Sequence, residues 1–361
     1  MSDANELISF IASMSGEGNL RVEENLGEGY VRLRVSEAER RQAKHDIQHV
    51  EDIVIEMLRN ARDAGADKVY LATAKEDGVR TLLFLDNGSG VPQDMQERIF
   101  DARVTSKLES MKMDRWGVHG RGMALFSIKQ NTDEARVVTS DVDLGSVFKV
   151  SVATDHLGER ADQSSWPQAV KDEDGRYVCA RGPHNIIRAA CEFALEELRA
   201  CDVYLGSPSE IAATLHAQAS SRLDASRLLF IDDEAELPVV DRLGLASDAE
   251  DFIRICSGLG LEMSERTAHR ILAGQIKPVR GVTTRLLRER DSSSHAPAPV
   301  DLAKDRRGLR IAKDDMAQFS RAVERDFNDL AARYYLNLCG DPKIHVSRDR
   351  ITVTFDLAKE E

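Results

Sequence analysis

The sequence has no uninterrupted apolar run that approaches the roughly eighteen residues needed to cross a membrane. Residues 1–14 lack the basic segment that opens a secretory signal peptide. The cysteines are few, odd in number and never spaced as C-x-x-C: Cys179, Cys191, Cys201, Cys256 and Cys339. Neither a disulfide scaffold nor a cysteine-based zinc site is indicated. These absences predict a cytoplasmic protein with reduced thiols and no membrane partner.

Positive charge is in deficit over the chain as a whole. The 62 acidic and 49 basic side chains leave a net charge of -13, which argues against wholesale wrapping by nucleic acid. Residues 264–313 are the exception, because twelve Lys or Arg residues stand there against five acidic ones. Two short helices predicted at 249–258 and 265–273 could form a helix-turn-helix beside this stretch. Nucleic acid is therefore a possible partner through residues 264–313, and solvated surface arginines are the alternative.

The 361 residues suffice for about two domains. Residues 30–154 alternate strand and helix patterns, which predicts an α+β sandwich with a mixed sheet covered by helices. From about residue 182 the patterns are mainly helical, and residues 343–346 and 350–355 predict a terminal β-hairpin. We therefore divide the chain into an N-terminal domain with an extension, residues 1–180, and a mainly helical module, residues 181–361. The helices predicted in that module span 185–200, 210–219, 249–258, 265–273, 283–289 and 314–338.

A polar face on the helix predicted at 52–64 is the first candidate for chemistry. Glu56, Asn60 and Asp63 fall within an arc of about 60°, opposite an apolar stripe on the same helix. Alone, such a face is more often merely solvated.

The next two candidates are rich in glycine. Asp86 follows a buried strand and is succeeded by Gly88 and Gly90, which lets the backbone bend closely around a ligand. Further on, three glycines open an apolar helix, where backbone N–H groups can hold an anion. They are Gly117, Gly120 and Gly122. Each motif is weak by itself.

In this order and spacing the three pieces resemble the GHKL (Bergerat-fold) ATPases, over about residues 45–155. Gly145-Ser146 is similar to the fourth motif of that family. The resemblance is greatest to the branch of MutL, type IIB topoisomerases and heat-shock chaperones, because Glu56 is present and a segment beginning Thr105-Ser106-Lys107 leads to the glycine motif. The fold that the resemblance implies is a Bergerat-type α/β sandwich.

The resemblance also implies roles for individual residues. Glu56 would be the general base that activates water, Asn60 would complete a Mg²⁺ site, and Asp86 would accept a hydrogen bond from the adenine amino group. The remaining residues expected to bind ATP are Asp63, Gly88, Gly90, Lys107, Gly117, Gly120, Gly122, Met123 and Ser146. Residues 100–114 would form a lid that orders over ATP.

The function implied is Mg-ATP binding with slow hydrolysis, coupled through lid closure to the C-terminal module. ATP-dependent homodimerisation and an unidentified protein partner fit this expectation. Two alternatives remain open: a non-hydrolysing ATP sensor that controls a nucleic-acid or protein partner, and a histidine-kinase-like phosphotransferase. The kinase is less favoured, because no phosphoacceptor-histidine hairpin precedes the domain. No lysine from the C-terminal half can be assigned to the γ-phosphate.

Overall fold

A computed structural model describes residues 22–106, 112–119, 122–223, 233–287, 313–333, 336–346 and 351–359. Contacts group the described residues into two compact units, one within residues 1–288 and the other within residues 289–361. The boundary expected at residue 180 stays a prediction. Among the described helices, none is both long enough and apolar enough to span a membrane.

The first unit alternates strands and helices. Its strands are β1 (Val22–Gly27), β2 (Tyr30–Leu33), β3 (Lys68–Glu76), β4 (Val79–Asp86), β5 (Val104–Thr105), β6 (Lys112–Asp114), β7 (Gly117–His119), β8 (Glu134–Ser140), β9 (Ser146–Ala153), β10 (Gln168–Lys171), β11 (Tyr177–Arg181) and β12 (Asp202–Gly206). Its helices are α1 (Glu37–Asp46), α2 (Val50–Asp63), α3 (Ala124–Asn131), α4 (Ile186–Glu196), α5 (Pro208–Arg222), α6 (Ala249–Gly258) and α7 (Glu265–Leu272). Residues 282–287 are also helical.

The main sheet has five strands in the order β12-β3-β4-β9-β8. Strand β12 runs parallel to β3, whereas the other neighbouring pairs are antiparallel. The mixed sheet that the sequence predicted is therefore confirmed. The register sets Asp86, the last residue of β4, opposite Ser146, the first residue of β9.

Both faces of this sheet are apolar, because alternate residues of a strand point to opposite sides. Leu82 and Phe84 of β4 belong to one core cluster, whereas Leu83 and Leu85 belong to a second. The first cluster contains the apolar stripe of α2 and the buried side of α4. These two helices form the first helical layer, and it carries the polar face of interest.

The second face is covered by helices from residues 208–272. Ile211 of α5, Phe252 of α6 and Ile271 of α7 lie in the second core cluster, together with Tyr70 and Leu83 of the sheet. The expected α+β sandwich is confirmed, and the sheet has a helical layer on both sides. The second layer comes from the part of the sequence that we assigned to a separate module.

Helix α2 ends at Asp63, one residue before the predicted end. Gly65 has a φ of +77°, a left-handed conformation that glycine adopts without strain, and its N–H donates to the Arg62 carbonyl. At the other end, the Asp52 carboxylate accepts hydrogen bonds from the N–H groups of Gln48 and His49. The helix is therefore fixed at both ends, which holds its polar face in place.

Three small sheets accompany the main one. The predicted strand at residue 30 is β2, and it joins a three-stranded sheet in the order β1-β2-β5. Strands β6 and β7 form one hairpin, and β10 and β11 form another. Strand β5 lies within the expected lid, so the N-terminal extension pairs with the start of the lid.

The second unit contains α8 (Lys313–Arg333), β13 (Leu336–Leu338), β14 (Lys343–Val346), β15 (Ile351–Thr354) and β16 (Leu357–Lys359). Strands β14 and β15 pair antiparallel, as the terminal hairpin predicted. The long helix does not reach residue 338 as expected. Residues 336–338 are extended and pair with β16, so sheet pairing prevails there over helical periodicity.

Candidate functional site

A cavity of about 480 Å³ lies between α2, the end of β4 and the start of α3. Eight of the residues that the sequence analysis selected line it: Glu56, Asn60, Asp63, Asp86, Gly90, Gly122, Met123 and Ser146. Gly88 is described but is not among the lining residues, and Gly117 is described only as the first residue of β7. Lys107 and Gly120 lie outside the described residues. Segments far apart in sequence thus meet around one space.

Asp86 lines this cavity and is buried, with 3% of its surface exposed. Its Oδ1 accepts a hydrogen bond from the Gly88 N–H at 2.8 Å, and its Oδ2 accepts one from the Ser146 hydroxyl at 2.5 Å. Both bonds favour the charged carboxylate and fix its orientation. A buried, oriented acceptor is what recognition of an amino group requires.

The turn after Asp86 needs glycine for steric reasons. A Cβ at Gly90, where φ is +69°, would lie 1.8 Å from the Asp141 carbonyl oxygen. A Cβ at Gly145, where φ is +78°, would lie 2.1 Å from the Asp86 carbonyl oxygen. The second and fourth motifs therefore pack backbone against backbone, and any side chain would force them apart.

The polar face of α2 borders the cavity rather than open solvent. Asp63 is 5% exposed at its side chain and Glu56 is 22% exposed. The Asn60 Nδ2 is buried without a hydrogen-bond partner in the described part of the chain. An acceptor atom of a water or a ligand would satisfy this donor.

A magnesium site at Asn60 fits these residues only with a ligand present. Within the described ranges, no group of three His, Cys, Asp or Glu side chains could hold a metal ion by itself. Magnesium keeps several waters and takes phosphate oxygens, so a single amide from the protein suffices. The Asn60 Oδ1 would be that ligand, whereas the unsatisfied Nδ2 is a donor that a phosphate oxygen could accept from.

Arg59 is a residue of this site that the sequence analysis missed. Its guanidinium is 3% exposed and its Nη1 donates to Glu56 Oε1 at 2.6 Å. Its Nε and Nη2 donate to the two carboxylate oxygens of Asp114 at 2.9 and 2.8 Å. The spacing of three between Glu56 and Arg59 on one helix was the available signal. For its partner on β6, Asp114, the sequence carried no such signal.

Arg62 extends the same ion-pair cluster. It contacts Asp63 at 3.0 Å, Asp114 at 3.3 Å and Glu197, just after α4, at 3.0 Å. Burial alone would lower the pKa of Arg62, but Asp63 and Glu197 raise it above its ordinary value. The cluster therefore joins α2 to β6 and to the end of α4.

The β6–β7 hairpin is seated on α4 by aromatic and charged contacts. Trp116 stacks on Phe193 with ring centroids 6.4 Å apart, and Arg115 lies 5.3 Å from the Trp116 ring. Arg115 also approaches the Glu192 carboxylate at 3.7 Å. Trp116 lines the cavity as well. The hairpin thus connects the cavity wall to the first helical layer.

Residues 30–47 supply another wall of the cavity that the sequence did not reveal. The cavity-lining residues among them are Tyr30, Glu39, Gln42, Asp46 and Ile47. Arg103, which is buried, pairs with the Glu39 carboxylate. Burial raises the pKa of Tyr30, and a hydrogen bond with Ser106 offsets part of this rise. Ser127 of α3 adds a buried hydroxyl with no hydrogen-bond partner among the described residues.

Comparison with known proteins agrees with this geometry. Residues 47–164 match the family described as histidine kinase-, DNA gyrase B-, and HSP90-like ATPase. The DNA mismatch repair protein MutL of Brucella abortus (strain S19) is 35% identical over 112 residues, which cover 31% of this chain and 18% of that protein. MutL of Thermodesulfovibrio yellowstonii is 34% identical over 98 residues, covering 26% and 18% respectively.

The GHKL resemblance of the N-terminal region is thereby confirmed, and it supports ATP binding in general. The aligned stretch spans less than a fifth of the length of these two relatives.

Proposed function

We propose that this protein binds Mg-ATP in the cavity beside α2 and hydrolyses it slowly. The observation that carries the proposal is one cavity bordered by Asp86 at the end of β4 and by Glu56 and Asn60 of α2. These groups lie within the segment that matches the ATPase family. The proposal assigns the base to the Asp86 end of the cavity and the phosphates to the end near α3.

Asp86 would select adenine. Its carboxylate accepts hydrogen bonds from Gly88 and Ser146, and a carboxylate offers about four acceptor positions in all. An adenine amino group would supply a further donor. Guanine presents a carbonyl oxygen at that position, which would repel the buried carboxylate.

Asn60 would help to hold Mg²⁺ between the protein and the phosphates. When bound, the ion supplies positive charge to the β- and γ-phosphate oxygens. The N-terminus of α3, which begins at Ala124 beside Gly122 and Met123, would direct backbone N–H groups at the phosphates. Gly117, Gly120 and Lys107 remain proposed phosphate contacts.

Glu56 would act as the general base. Its carboxylate takes a proton from a water, the water oxygen bonds to the γ-phosphorus, and the bond to the bridging oxygen of ADP breaks. ADP and inorganic phosphate are the products, and the proton returns from Glu56 to solvent. This role requires only hydrogen-bond reach between the carboxylate and the attacking water.

The test measures binding and turnover separately. Calorimetry should detect association of Mg-ATP with the full chain, and steady-state assays should detect slow phosphate release. Glu56→Ala should abolish release while retaining affinity, since the base acts only in the transition state. Glu76→Ala, an exposed position at the end of β3, is the control.

Each outcome separates the candidate functions. Absence of any association with Mg-ATP would remove the proposal. Association without turnover would favour the non-hydrolysing sensor, and transfer of the γ-phosphate to a protein would favour the phosphotransferase.

We extend the proposal to coupling. Residues 100–114 would close over ATP as a lid, change the C-terminal module and promote homodimerisation or capture of a protein partner. The contacts of Asp114 with Arg59 and Arg62 give the end of this segment a direct link to α2. A non-hydrolysable ATP analogue should protect the chain from proteolysis near Lys107. Unchanged cleavage would contradict lid closure. The cytoplasmic location also stays a proposal.

A second proposed function is contact with double-stranded DNA through α7. Helices α6 and α7 have the bounds that the sequence predicted, within one residue, and Ala268 and Ile271 face the core. The opposite side of α7 and the loop after it expose basic residues: Arg266, Arg270, Lys277 and Arg280. None of these four forms an ion pair in the described part of the chain. Such unneutralised charge suits a phosphate backbone.

Fluorescence anisotropy with a labelled 20-base-pair duplex at several salt concentrations would test this surface. Replacing Arg266 and Arg270 by Gln should weaken binding and flatten its salt dependence. The same change at Arg176 and Arg181, exposed on the β10–β11 hairpin, is the control. No binding of the unaltered protein at low salt would remove DNA as a partner.

A further inference from the structure

We propose that Arg59 is a positioning residue for Glu56, and that Asp114 of the β6–β7 hairpin holds Arg59 in place for this task. The inference rests on the proposed role of Glu56 in hydrolysis. It assigns to the hairpin a part in catalysis that the glycine motifs do not explain.

The first step is the pair on α2. Glu56 and Arg59 lie three residues apart, and their 2.6 Å contact is a charge-assisted hydrogen bond. Arg59 is 3% exposed, so water cannot compete for its guanidinium. An ion pair in such a place is shielded from solvent and holds its geometry far better than a surface pair.

Asp114 holds the Arg59 guanidinium in place. Both oxygens of this carboxylate accept from Arg59, at 2.8 and 2.9 Å, so the guanidinium plane is fixed. With Nε and Nη2 engaged by Asp114, Nη1 is directed at Glu56. Lysine has no planar fork and could not serve both carboxylates in the same manner.

The positive charge of Arg59 also affects the chemistry of Glu56. A neighbouring positive charge favours the ionised form of a carboxyl group, so Arg59 keeps Glu56 deprotonated and able to accept a proton from water. A carboxylate can accept from Arg59 and orient a water at the same time. Arg59 thus sets both the charge and the direction of the base.

Other charged groups lie around this pair and contribute to the electrostatic potential there. They are Arg62 and Asp63 on α2, Asp114 and Arg115 on the hairpin, Glu192, Glu196 and Glu197 at α4, and Glu39, Asp46 and Arg103 on the far side of the cavity. Asp114 contacts Arg59 at two atoms, Nε and Nη2. Its removal therefore tests the geometry of Arg59 with the charge of Arg59 retained.

The experiment compares Arg59→Gln, Arg59→Lys, Asp114→Asn and the Arg59→Gln/Asp114→Asn double variant in the full chain. Phosphate release gives kcat and KM between pH 4.5 and 9, and calorimetry gives the affinity for Mg-ATP. Arg80→Gln is the matched control, because Arg80 is also buried and paired, with Glu159 at 2.8 Å, but does not line the cavity. Thermal unfolding identifies any variant that fails to fold.

Arg59→Gln should lower kcat by roughly tenfold to a hundredfold and leave KM and affinity within about twofold. The acid limb of its kcat profile should move to higher pH, because Glu56 loses a positive neighbour. Arg59→Lys should keep the acid limb in place but have a low kcat. Asp114→Asn should lower kcat by less than Arg59→Gln does and should leave the acid limb in place. The double variant should have the same kcat as Arg59→Gln.

Arg59→Gln and Asp114→Asn variants that fold and retain full kcat with an unmoved acid limb would overturn the inference. So would a loss confined to Mg-ATP affinity, which would make Arg59 a binding residue. If Arg59→Gln does not fold, the kcat of Asp114→Asn decides alone. Absence of turnover in the unaltered protein is a different result, since it removes the proposed hydrolysis and the inference with it.

Discussion

Asp86 and Ser146 face each other in the adjacent strands β4 and β9, and the Ser146 hydroxyl donates a hydrogen bond to the Asp86 carboxylate. The two residues lie sixty positions apart in the sequence. Their contact joins the second and fourth motifs into one buried acceptor. The strand register sets Asp86 opposite Ser146, so under the proposed function the affinity for adenine would depend on the sheet as much as on the loops.

Asp86→Asn should weaken Mg-ATP binding at least about tenfold. An amide in this place presents a donor where Gly88 or Ser146 also donates, which leaves a buried polar group unsatisfied. Ser146→Thr keeps the hydroxyl and should bind normally, whereas Ser146→Ala should show an intermediate loss. Calorimetry measures all three. Unaltered affinity of Asp86→Asn would contradict adenine recognition at this carboxylate.

Gly90→Ala should lower the free energy of unfolding by more than Gly78→Ala does. Both glycines have positive φ, which costs an alanine about 1–2 kcal/mol. Only at Gly90 would the new Cβ also meet backbone, at 1.8 Å from the Asp141 carbonyl oxygen, whereas Gly78 has open space. Urea denaturation gives both values. Equal losses would show that the turn relaxes without strain.

The stability contributed by Glu159 should depend on pH. Burial raises the pKa of Glu159, but hydrogen bonds from Arg80 and Lys75 lower it more, so it lies below the ordinary 4.5. A lowered carboxyl pKa stabilises the fold above about pH 4.5, and this stabilisation is lost as the pH falls through the folded-state value.

Glu159→Gln should therefore cost about 1–3 kcal/mol at pH 7 and clearly less at pH 4. Denaturant titrations at both pH values measure the difference. Glu173→Gln, at an exposed position in the turn between β10 and β11, should show little effect at either pH. A constant deficit for Glu159→Gln would mean that packing rather than charge is responsible.

One thiol should react with a disulfide reagent much faster than the other four. Cys339 is exposed, whereas the remaining cysteines are buried. Burial also raises the pKa of Cys201 and Cys256 to about 12, so the reactive thiolate is scarce there. A colourimetric thiol titration should show a single fast group that disappears in Cys339→Ala. Two or more fast groups would indicate local opening of the core.

Local patterns in the sequence were sufficient for much of the fold. The apolar period of α2 and its glycine stop fixed the helix that carries Glu56, Asn60 and Asp63. Helix α6 begins and ends at the expected residues, and α7 ends one residue earlier than expected. The motif spacing also selected eight residues that line the cavity. These features depend on neighbours in the chain, and periodicity reports such neighbours well.

Contacts between distant segments could not be predicted in the same way. Nothing in the local pattern places β12 parallel to β3, or lays α5 to α7 across the second face of the sheet. The contact between Arg59 and Asp114 joins positions 55 residues apart. Such pairs arise from packing of the whole unit, and a single sequence carries no signal for them.

The helical layer formed by α5, α6 and α7 has a practical meaning for anyone who shortens this chain. A fragment ending at residue 180 would expose Tyr70, Leu83 and Leu85 to solvent. It would also make β3 an edge strand, because β12 would be missing. Bare apolar sheet and open edges invite aggregation. A soluble nucleotide-binding fragment should therefore extend past α7, and insolubility of a shorter piece would say nothing about its affinity for ATP.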